Sequence, residues 1–246
     1  MLISRRLLSN VQRKRFYNSV DTVAVTGGWS VSLDAKVIKT PARESLILPT
    51  QLLAWGVANE FDSQKDLVVP ATMPLMTIAS TAIDVTRTNR SPAIERITKY
   101  LETDTVSFLH EDEVELQALQ REKWDPIREW AKVTCGISTN QVAGISLQPG
   151  QCELGLHALS SELDSLDFWR LTTMEIAAAS AKSALIALAL LRGRFTVDDA
   201  LSAALVEEKW QRSNWGTVEG CHDISERETA MWLAACSFFE SALVSS

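Results

Sequence analysis

The spacing of apolar residues changes its period near residue 50, and this change limits the folds that the chain can adopt. Between residues 21 and 49, apolar and polar residues alternate on both sides of a Gly-Gly pair. The alternating apolar positions are Val23, Val25, Trp29, Val31 and Leu33, and the pair is Gly27-Gly28. Strict alternation interrupted by a glycine turn predicts short antiparallel strands joined in a hairpin.

After Pro49 the apolar residues recur every three or four positions, which is the period of an α-helix. One such run follows Thr50, a candidate N-cap, and a second begins near residue 75. Their apolar positions are Leu53, Val57 and Phe61 in the first run, and Leu75, Ile78, Ala79, Ala82 and Ile83 in the second. Strands followed by helices predict an α+β fold for the front third of the chain.

Beyond about residue 90, strand signals almost disappear and helix starts replace them. Ser91-Pro92 and Asp125-Pro126 each pair a capping residue with a proline, and the segment Thr196 to Asp199 has the form of a capping box opening a helix towards Trp210. We therefore expect an α+β N-terminal domain with antiparallel strands over residues 19–112, followed by an all-helical C-terminal domain over residues 113–246.

The longest apolar run extends for 16 residues from Ile176 to Leu191 and contains Lys182. A transmembrane helix needs about 20 mainly apolar residues. The run is therefore predicted to be a buried core helix, and we expect no stable membrane insertion.

The first twenty residues contain five basic residues, three serines and no acid. The basic residues are Arg5, Arg6, Arg13, Lys14 and Arg15. This composition is typical of a mitochondrial transit peptide, which we assign to residues 1–18 with cleavage near Arg15 to Val20, and it predicts a location in the mitochondrial matrix. A disordered basic tail is the alternative.

Without those twenty residues the chain carries 19 basic against 31 acidic residues, a formal charge of −12. Nucleic acids and anionic membranes are polyanions, so neither is an expected partner. A basic or neutral protein is a better match for this charge.

The segment NWGTVEGCHD, residues 214–223, places Glu219 and His222 three positions apart, the spacing found in carboxylate-bridged di-metal bundles. Such a site needs a second Glu-x-x-His motif, and the sequence has none. Common nucleophile and phosphate-binding motifs are also absent from the sequence. A metal-dependent hydrolase centred on Glu219, His222 and Asp223 is kept as the alternative function.

Tryptophans are frequent in the helical half, namely Trp124, Trp130, Trp169, Trp210 and Trp215. Each one alone is expected to pack in the core. As a group beside acidic residues, they have the composition of anchors in a protein interface. Gly216 and Gly220 flank Glu219 and would let another backbone come close, or would permit tight packing within the domain.

An ordered set of sequence blocks resembles one known family. The blocks are RFY at 15–17, LDAKVIKTP at 33–41, LPT at 48–50, NEFDSQ at 59–64, TMPL at 72–75, YLETDT at 100–105, LQREKWDPIREW at 119–130 and VEEKWQRSNWGTVEGCHD at 206–223. The chain resembles the mitochondrial ATP synthase F1 assembly factor 2 family, the chaperone of the F1-ATPase alpha subunit. The resemblance extends from Arg15 to the last helix.

The resemblance implies a matrix chaperone that is no enzyme, needs no cofactor, is a monomer when free, and binds the unassembled alpha subunit of the F1 ATPase. It prevents aggregation of that subunit until the beta subunit pairs with it. The resemblance also implies a client-binding surface with Glu219 as the acidic contact and Trp215 as an anchor. His222 and Asp223 would cap or orient the following helix, while Glu207, Glu208 and Gln211 would extend the acidic face.

Three further polar or aromatic residues of the matching blocks, Asp104, Trp124 and Asp125, are expected to cap helices and pack in the core. One departure is Phe61, where the family usually has Trp. The aromatic packing should survive this difference, but the indole hydrogen-bond donor is lost.

Overall fold

A computed structural model describes residues 13–144, 153–216 and 222–244. The chain divides into two compact units: residues up to Thr88 together with those from Phe238 onwards, and residues Asn89–Ser237. A compact unit is defined by its packing and need not fold alone. The domain limits expected above, 19–112 and 113–246, therefore stay a prediction.

Short strands form the first part of the N-terminal unit. They are β1 (Arg13–Lys14), β2 (Val20–Val25), β3 (Gly28–Leu33), β4 (Lys36–Val37) and β5 (Leu67–Val68). β2 and β3 form an antiparallel hairpin that pairs Val25 with Gly28, and β4 adds a third strand. Gly28 has a positive φ of 154°, and a Cβ there would lie 2.3 Å from the Leu48 carbonyl oxygen, so the turn requires glycine. The predicted hairpin is confirmed.

Helices pack beside this hairpin in the same unit: α1 (Gln51–Asp62), a 3₁₀ turn (Pro70–Thr72), α2 (Pro74–Thr81) and a π-helical turn (Ala82–Thr86). Thr50 Oγ1 accepts a hydrogen bond from the Leu53 amide at 3.3 Å, so the predicted cap is present. The apolar positions that defined both helical runs are buried, apart from a half-buried Phe61. The Phe61 ring makes an edge contact with Tyr17, with 6.0 Å between centroids, so aromatic packing is present at this position.

The second unit is mainly helical. Its elements are α3 (Ser91–Glu102), a 3₁₀ turn (Thr105–Ser107), β6 (Phe108–Leu109), α4 (Val114–Cys135), β7 (Val142–Ala143), α5 (Glu153–Ser165), α6 (Phe168–Ala181), α7 (Ala184–Leu191), α8 (Val197–Ala204), α9 (Val206–Trp215) and most of α10 (His222–Val244). The two-residue strands β6 and β7 are parallel. The fold class is therefore the predicted one, α+β followed by helices. Among the described residues, no helix is both long and apolar enough to cross a bilayer.

The helix start predicted at Asp125-Pro126 is wrong, because Pro126 lies inside the 22-residue helix α4. The buried positions of α4 continue through the proline at spacings of three and four: Leu116, Gln120, Trp124, Ile127 and Ala131. Burial of this continuous face outweighs the lost backbone hydrogen bond at Pro126. Asp125 forms an ion pair with Arg128, 2.8 Å away on the same helix.

The apolar run 176–191 is mostly buried, although Ala179 and Lys182 are exposed, and it forms the end of one helix and a second helix rather than one helix. Lys182 adopts a left-handed conformation with φ 54° and ends α6. Ser183 then caps α7 by accepting a hydrogen bond from the Ile186 amide at 3.0 Å. A serine cap and a left-handed residue together turn the chain between two buried helices.

The capping box at Thr196 and Asp199 is confirmed, because each side chain accepts a hydrogen bond from the other residue's amide. The helix it opens ends at Ala204 rather than continuing to Trp210. Leu205, with φ −113° and ψ 19°, separates α8 from α9. This break gives α9 its own direction and places the residues discussed next on a separate helix.

Candidate functional site

Helix α9 contains most of the described part of the predicted client-binding surface. Glu208 and Gln211 lie on it, and its last residue is Trp215. The backbone at Trp215, His222 and Asp223 is described, but their side chains are not, and Glu219 lies outside the described residues. The roles assigned to these four residues therefore stay predictions.

Sequence favours a short helix at this position for electrostatic reasons. Glu207 and Glu208 lie in its first turn and Arg212 in its last, the arrangement that complements a helix dipole. Gly216 ends the helix with a positive φ of 82°, and a Cβ there would meet no atom within 4 Å. Within the described chain, Gly216 thus serves the backbone conformation and relieves no close contact.

One side of α9 packs inward against α4 and the loop before it. Trp210 is 9% exposed, and its ring lies 6.5 Å from that of His110. Gln120 is fully buried, and its Nε2 atom donates a hydrogen bond to Glu207 Oε1 at 2.8 Å. Its Oε1 atom accepts a hydrogen bond from the His110 amide at 2.9 Å. These contacts fix the rotation of α9 about its axis.

Glu207 therefore has a structural role and does not belong to an open acidic surface. Burial, and next the neighbouring charge of Glu208, raise the pKa of the Glu207 carboxyl, while the hydrogen bond from Gln120 lowers it in part. A half-buried carboxylate in such surroundings has less attraction for an external cation than an exposed one. We therefore do not count Glu207 among the contact residues.

The opposite side of α9 is open to solvent. Glu208, Gln211 and Trp215 recur at helical spacing, so their backbone positions share one side, which we call the 208–215 face. Gln211 is exposed, and the Glu208 side chain is 33% exposed. Lys182 Nζ lies 3.1 Å from Glu208 Oε1. The 208–215 face therefore offers an amide and a carboxylate that is already paired with an exposed lysine.

Two basic residues of α9 pair with a carboxylate of α10. Arg212 donates a hydrogen bond to Glu226 Oε2 at 2.7 Å, and Lys209 Nζ lies 3.7 Å from Glu226 Oε1. The Arg212 hydrogen bond, together with the charges of Arg212 and Lys209, holds the pKa of the Glu226 carboxyl below its usual range. This cluster links the two helices that flank residues 217–221.

Three residues expected to be structural were Asp104, Trp124 and Asp125. Asp104 is fully buried and accepts hydrogen bonds from the Val106 and Leu185 amides at 3.2 and 3.0 Å. Burial raises the pKa of its carboxyl to about 6. Trp124 is also fully buried and donates from Nε1 to the Ala203 carbonyl at 2.9 Å. Capping by Asp104 and packing of Trp124 are thus confirmed.

The matched family model is described as the ATP12 chaperone protein, and it covers residues 14–132. The chain belongs to the ATP12 family. This membership confirms the resemblance that the ordered blocks of the sequence indicate.

Two fungal ATP12 proteins named as mitochondrial are similar to the chain along most of its length. The protein from Schizosaccharomyces pombe is 24% identical over 241 residues, covering 94% of this chain and 83% of the relative. The protein from Saccharomyces cerevisiae is 24% identical over 245 residues, covering 82% of this chain and 75% of the relative. The similarity therefore includes the helical half, beyond the part that the family model matches.

Solved structures of bacterial proteins have the same fold. A protein of Agrobacterium tumefaciens assigned as a chaperone superposes with a TM-score of 0.88 at 29% identity, covering 94% of this chain and 87% of its own. Atp12 from Paracoccus denitrificans gives a TM-score of 0.80 at 29% identity, covering 94% of this chain and 97% of its own. The ATP12 fold is therefore shared between this chain and bacterial members.

The tryptophans of this ATP12 chain do not form one exposed group. Trp124, Trp169 and Trp210 are at most 9% exposed, so these three pack in the helical unit rather than on its surface. In contrast, Trp55 on α1 is 54% exposed. Sequence reasoning concentrated on the helical half and did not single out Trp55, although its position opposite the apolar face of α1 indicates exposure.

Metal chemistry finds no support in the described ranges 13–144, 153–216 and 222–244, where no three His, Cys, Asp or Glu residues are grouped to hold an ion. Glu219 and the side chains of His222 and Asp223 lie outside the described residues. The hydrolase alternative thus has no structural observation in its favour.

Proposed function

We propose that this ATP12 protein is a mitochondrial matrix chaperone that binds the unassembled alpha subunit of the F1 ATPase. It covers a surface of that subunit and so prevents aggregation until the beta subunit pairs with it. An unassembled ring subunit exposes a large apolar interface that can associate with other copies. No catalysis and no cofactor enter this role, and the free chaperone is a monomer.

Membership of the ATP12 family is the observation that carries the proposal. The mitochondrial names of the two fungal relatives support the location. The chain after residue 20 has a formal charge of −12, which favours a protein client over nucleic acid or an anionic membrane.

The client-binding surface is proposed to combine residues 217–221 with the 208–215 face. Glu219 is the acidic contact, Trp215 is the anchor, and His222 and Asp223 cap or orient α10. The exposed Gln211 and the partly exposed Glu208 support the edge of this surface, because both present polar groups to solvent on one side of α9. A basic client group would meet carboxylates here.

Lys182 limits how strongly Glu208 can attract such a client. Its ammonium group already pairs with Glu208, but its side chain is 67% exposed. Exposed ion pairs contribute only about 0–1 kcal/mol. A client cation can therefore replace Lys182 at small cost, which suits a chaperone that must also release its client.

The identity of the client is tested by affinity capture of the tagged wild-type chain from cells that synthesise alpha subunit but cannot assemble the ring. Capture of alpha subunit without beta subunit is the expected result. Capture of neither subunit, with the tagged chain intact, would contradict the proposed client. A metal analysis of the same purified chain tests the hydrolase, for which near-stoichiometric zinc or iron is required.

A further inference from the structure

We infer that removal of the mitochondrial leader stops before Arg13, so that residues 13–19 are retained in the mature protein. The processing step is hydrolysis of one peptide bond by a matrix endopeptidase, with water supplying the hydroxyl of the new carboxyl group and a proton of the new amino group. The position differs from the range Arg15 to Val20 predicted from composition. It rests on what residues 13–19 do in the fold.

The first described residues are hydrogen-bonded to a distant part of the chain. β1 pairs with β5 in antiparallel register, with Arg13 opposite Val68 and Lys14 opposite Leu67. The Arg15 amide then donates to the Asp66 carbonyl at 2.9 Å. A cut after Arg15 would remove this strand from the two-stranded sheet.

Arg15 also closes the end of helix α1. Its Nη1 atom donates to the carbonyl oxygens of Asp62, at 3.0 Å, and Gln64, and its Nη2 atom lies 3.5 Å from the Asp62 carboxylate. The last carbonyls of a helix lack partners within the helix and carry its negative dipole end. Arg15 therefore supplies a cation and donors where α1 needs them.

Tyr17 makes the third connection. Only 3% of it is exposed, and its hydroxyl donates to the Phe61 carbonyl at 2.8 Å. The guanidinium carbon of Arg15 lies 4.7 Å from the centre of the Tyr17 ring, which adds a cation–π contact. Burial raises the pKa of the Tyr17 hydroxyl, as expected for a phenol that belongs to the core.

Residues 18 and 19 are held by a separate contact. Asp34 Oδ1 accepts hydrogen bonds from the amides of Asn18 and Ser19 at 3.0 and 2.9 Å. These hydrogen bonds, with that of Ser19 first, lower the pKa of the Asp34 carboxyl. Asp34 has a positive φ of 47° in the turn after β3, so the turn residue that ends the hairpin also fixes the start of β2.

A leader and a folded N-terminus can have the same composition. Arg13, Lys14 and Arg15 count towards the basic charge of a transit peptide, yet here they belong to a strand and a helix cap. Cleavage between Arg15 and Val20 would remove Arg15 from the Asp62 carbonyl at the end of α1. A cut after Tyr17 would also expose the space that Tyr17 fills. Processing before Arg13 keeps all of these contacts.

The direct test is the intact mass of the chain after expression with a C-terminal tag in cultured eukaryotic cells and purification from their mitochondria. We expect a mature chain that has lost N-terminal residues by cleavage and that begins at Arg13 or at an earlier residue. A chain that begins at any of residues 14–20 would overturn the inference. An imported but uncleaved chain would overturn the existence of a removable leader.

A second test does not depend on import, so it can fail independently of the proposed function. Chains beginning at Arg13 and at Ser19, each behind the same initiating Met, are produced in bacteria and melted. Loss of a buried aromatic residue and its contacts predicts a Tm lower by roughly 6–15 °C for the shorter chain. Equal Tm values would show that residues 13–18 are dispensable. Tyr17→Ala in the longer chain should lower Tm by a large part of the same amount. This variant separates the contribution of the Tyr17 side chain from that of strand β1.

Discussion

Arg212 donates a hydrogen bond to Glu226 across 2.7 Å and thereby joins α9 to α10 on either side of residues 217–221. The Arg212 side chain is 17% exposed and that of Glu226 is 30% exposed, so solvent screens this pair less than a fully exposed one. One contact therefore joins the helix that precedes the segment containing Glu219 to the helix that follows it.

The strength of the Arg212–Glu226 pair can be measured by a double-mutant cycle with Arg212→Ala and Glu226→Ala. We expect a coupling free energy of about 1 kcal/mol in urea unfolding at neutral pH, larger than that of a solvent-exposed pair. The matched control is the exposed i,i+4 pair of Glu95 and Lys99, for which we expect a smaller coupling free energy. Equal coupling in both cycles would contradict a special role for the Arg212 contact.

The Arg212–Glu226 pair also predicts the direction in which acid changes the stability of the fold. Because the pKa of Glu226 is lowered in the folded chain, its contribution to stability is present at neutral pH and is lost as the pH falls through the folded pKa. Glu226→Gln should therefore narrow the difference between unfolding free energies measured at pH 7 and pH 3. An unchanged difference would show that Arg212 does not stabilise the charged form.

Trp124→Phe should destabilise the protein although the aromatic ring remains. The substitution removes the donor to the Ala203 carbonyl and leaves space beside a fully buried residue. The expected loss is about 2 kcal/mol, or a Tm lower by about 4–8 °C. Trp55→Phe is the control, since Trp55 is exposed, and it should change Tm by less than about 2 °C. Similar losses in the two variants would refute the structural role of the Trp124 indole.

Local signals made part of the fold predictable from sequence. The hairpin at Gly27-Gly28, the Thr50 cap and the capping box at Thr196 each depend on residues within a few positions of one another. Asp125-Pro126 has an equally local helix-start signal, but the buried face of α4 continues through it. The left-handed Lys182 has no such signal, because its conformation follows from packing two buried helices in succession.

The candidate site was less predictable, since its supporting contacts join residues far apart in the chain. Gln120 and Glu207 are separated by 87 positions, and Lys182 and Glu208 by 26. A single sequence contains no spacing rule for such pairs. It identified Glu208 and Gln211 through a block that resembles a family, but it could not show that Gln120 turns Glu207 inward.

Glu60 is expected to make stability depend on pH near neutrality. Its carboxylate is buried and accepts hydrogen bonds from the Leu75 and Met76 amides at 2.7 and 2.8 Å. Burial raises the pKa of Glu60 from 4.5 to about 7, against the effect of these two hydrogen bonds. The folded state therefore holds a proton that the unfolded state releases, so this contribution to stability is full below pH 4.5 and is lost as the pH rises through 7.

Glu60→Gln removes this titration. The difference in unfolding free energy between wild type and variant should change by at most about 3 kcal/mol between pH 4.5 and 7.5, always in the direction that favours wild type at the lower pH. Urea unfolding across this range provides the measurement. Glu129→Gln, at an exposed position of α4, is the control and should leave the dependence of the unfolding free energy on pH unchanged. If Glu60→Gln keeps the wild-type dependence of unfolding free energy on pH, that dependence belongs to another group.

Lys182→Gly should keep or raise stability while freeing Glu208. Glycine adopts φ 54° without the steric cost of a side chain, which favours the variant by about 1–2 kcal/mol, and the lost ion pair is exposed. Binding of alpha subunit should be equal to or stronger than that of wild type, because Glu208 no longer has an internal partner. Weaker binding by a stable Lys182→Gly variant would indicate that Lys182 itself contacts the client.

Binding of the client at Glu219 can be measured by titrating purified alpha subunit with wild type, Glu219→Lys, Glu208→Lys and the exposed control Glu129→Lys, each with its Tm measured. We predict that the control binds like wild type, that Glu208→Lys binds several-fold more weakly, and that Glu219→Lys loses at least about tenfold in affinity, which corresponds to about 1.4 kcal/mol. All three variants should retain the wild-type Tm within a few degrees. Wild-type affinity in a folded Glu219→Lys variant would show that the client binds elsewhere on the molecule and that Glu219 is not its acidic contact.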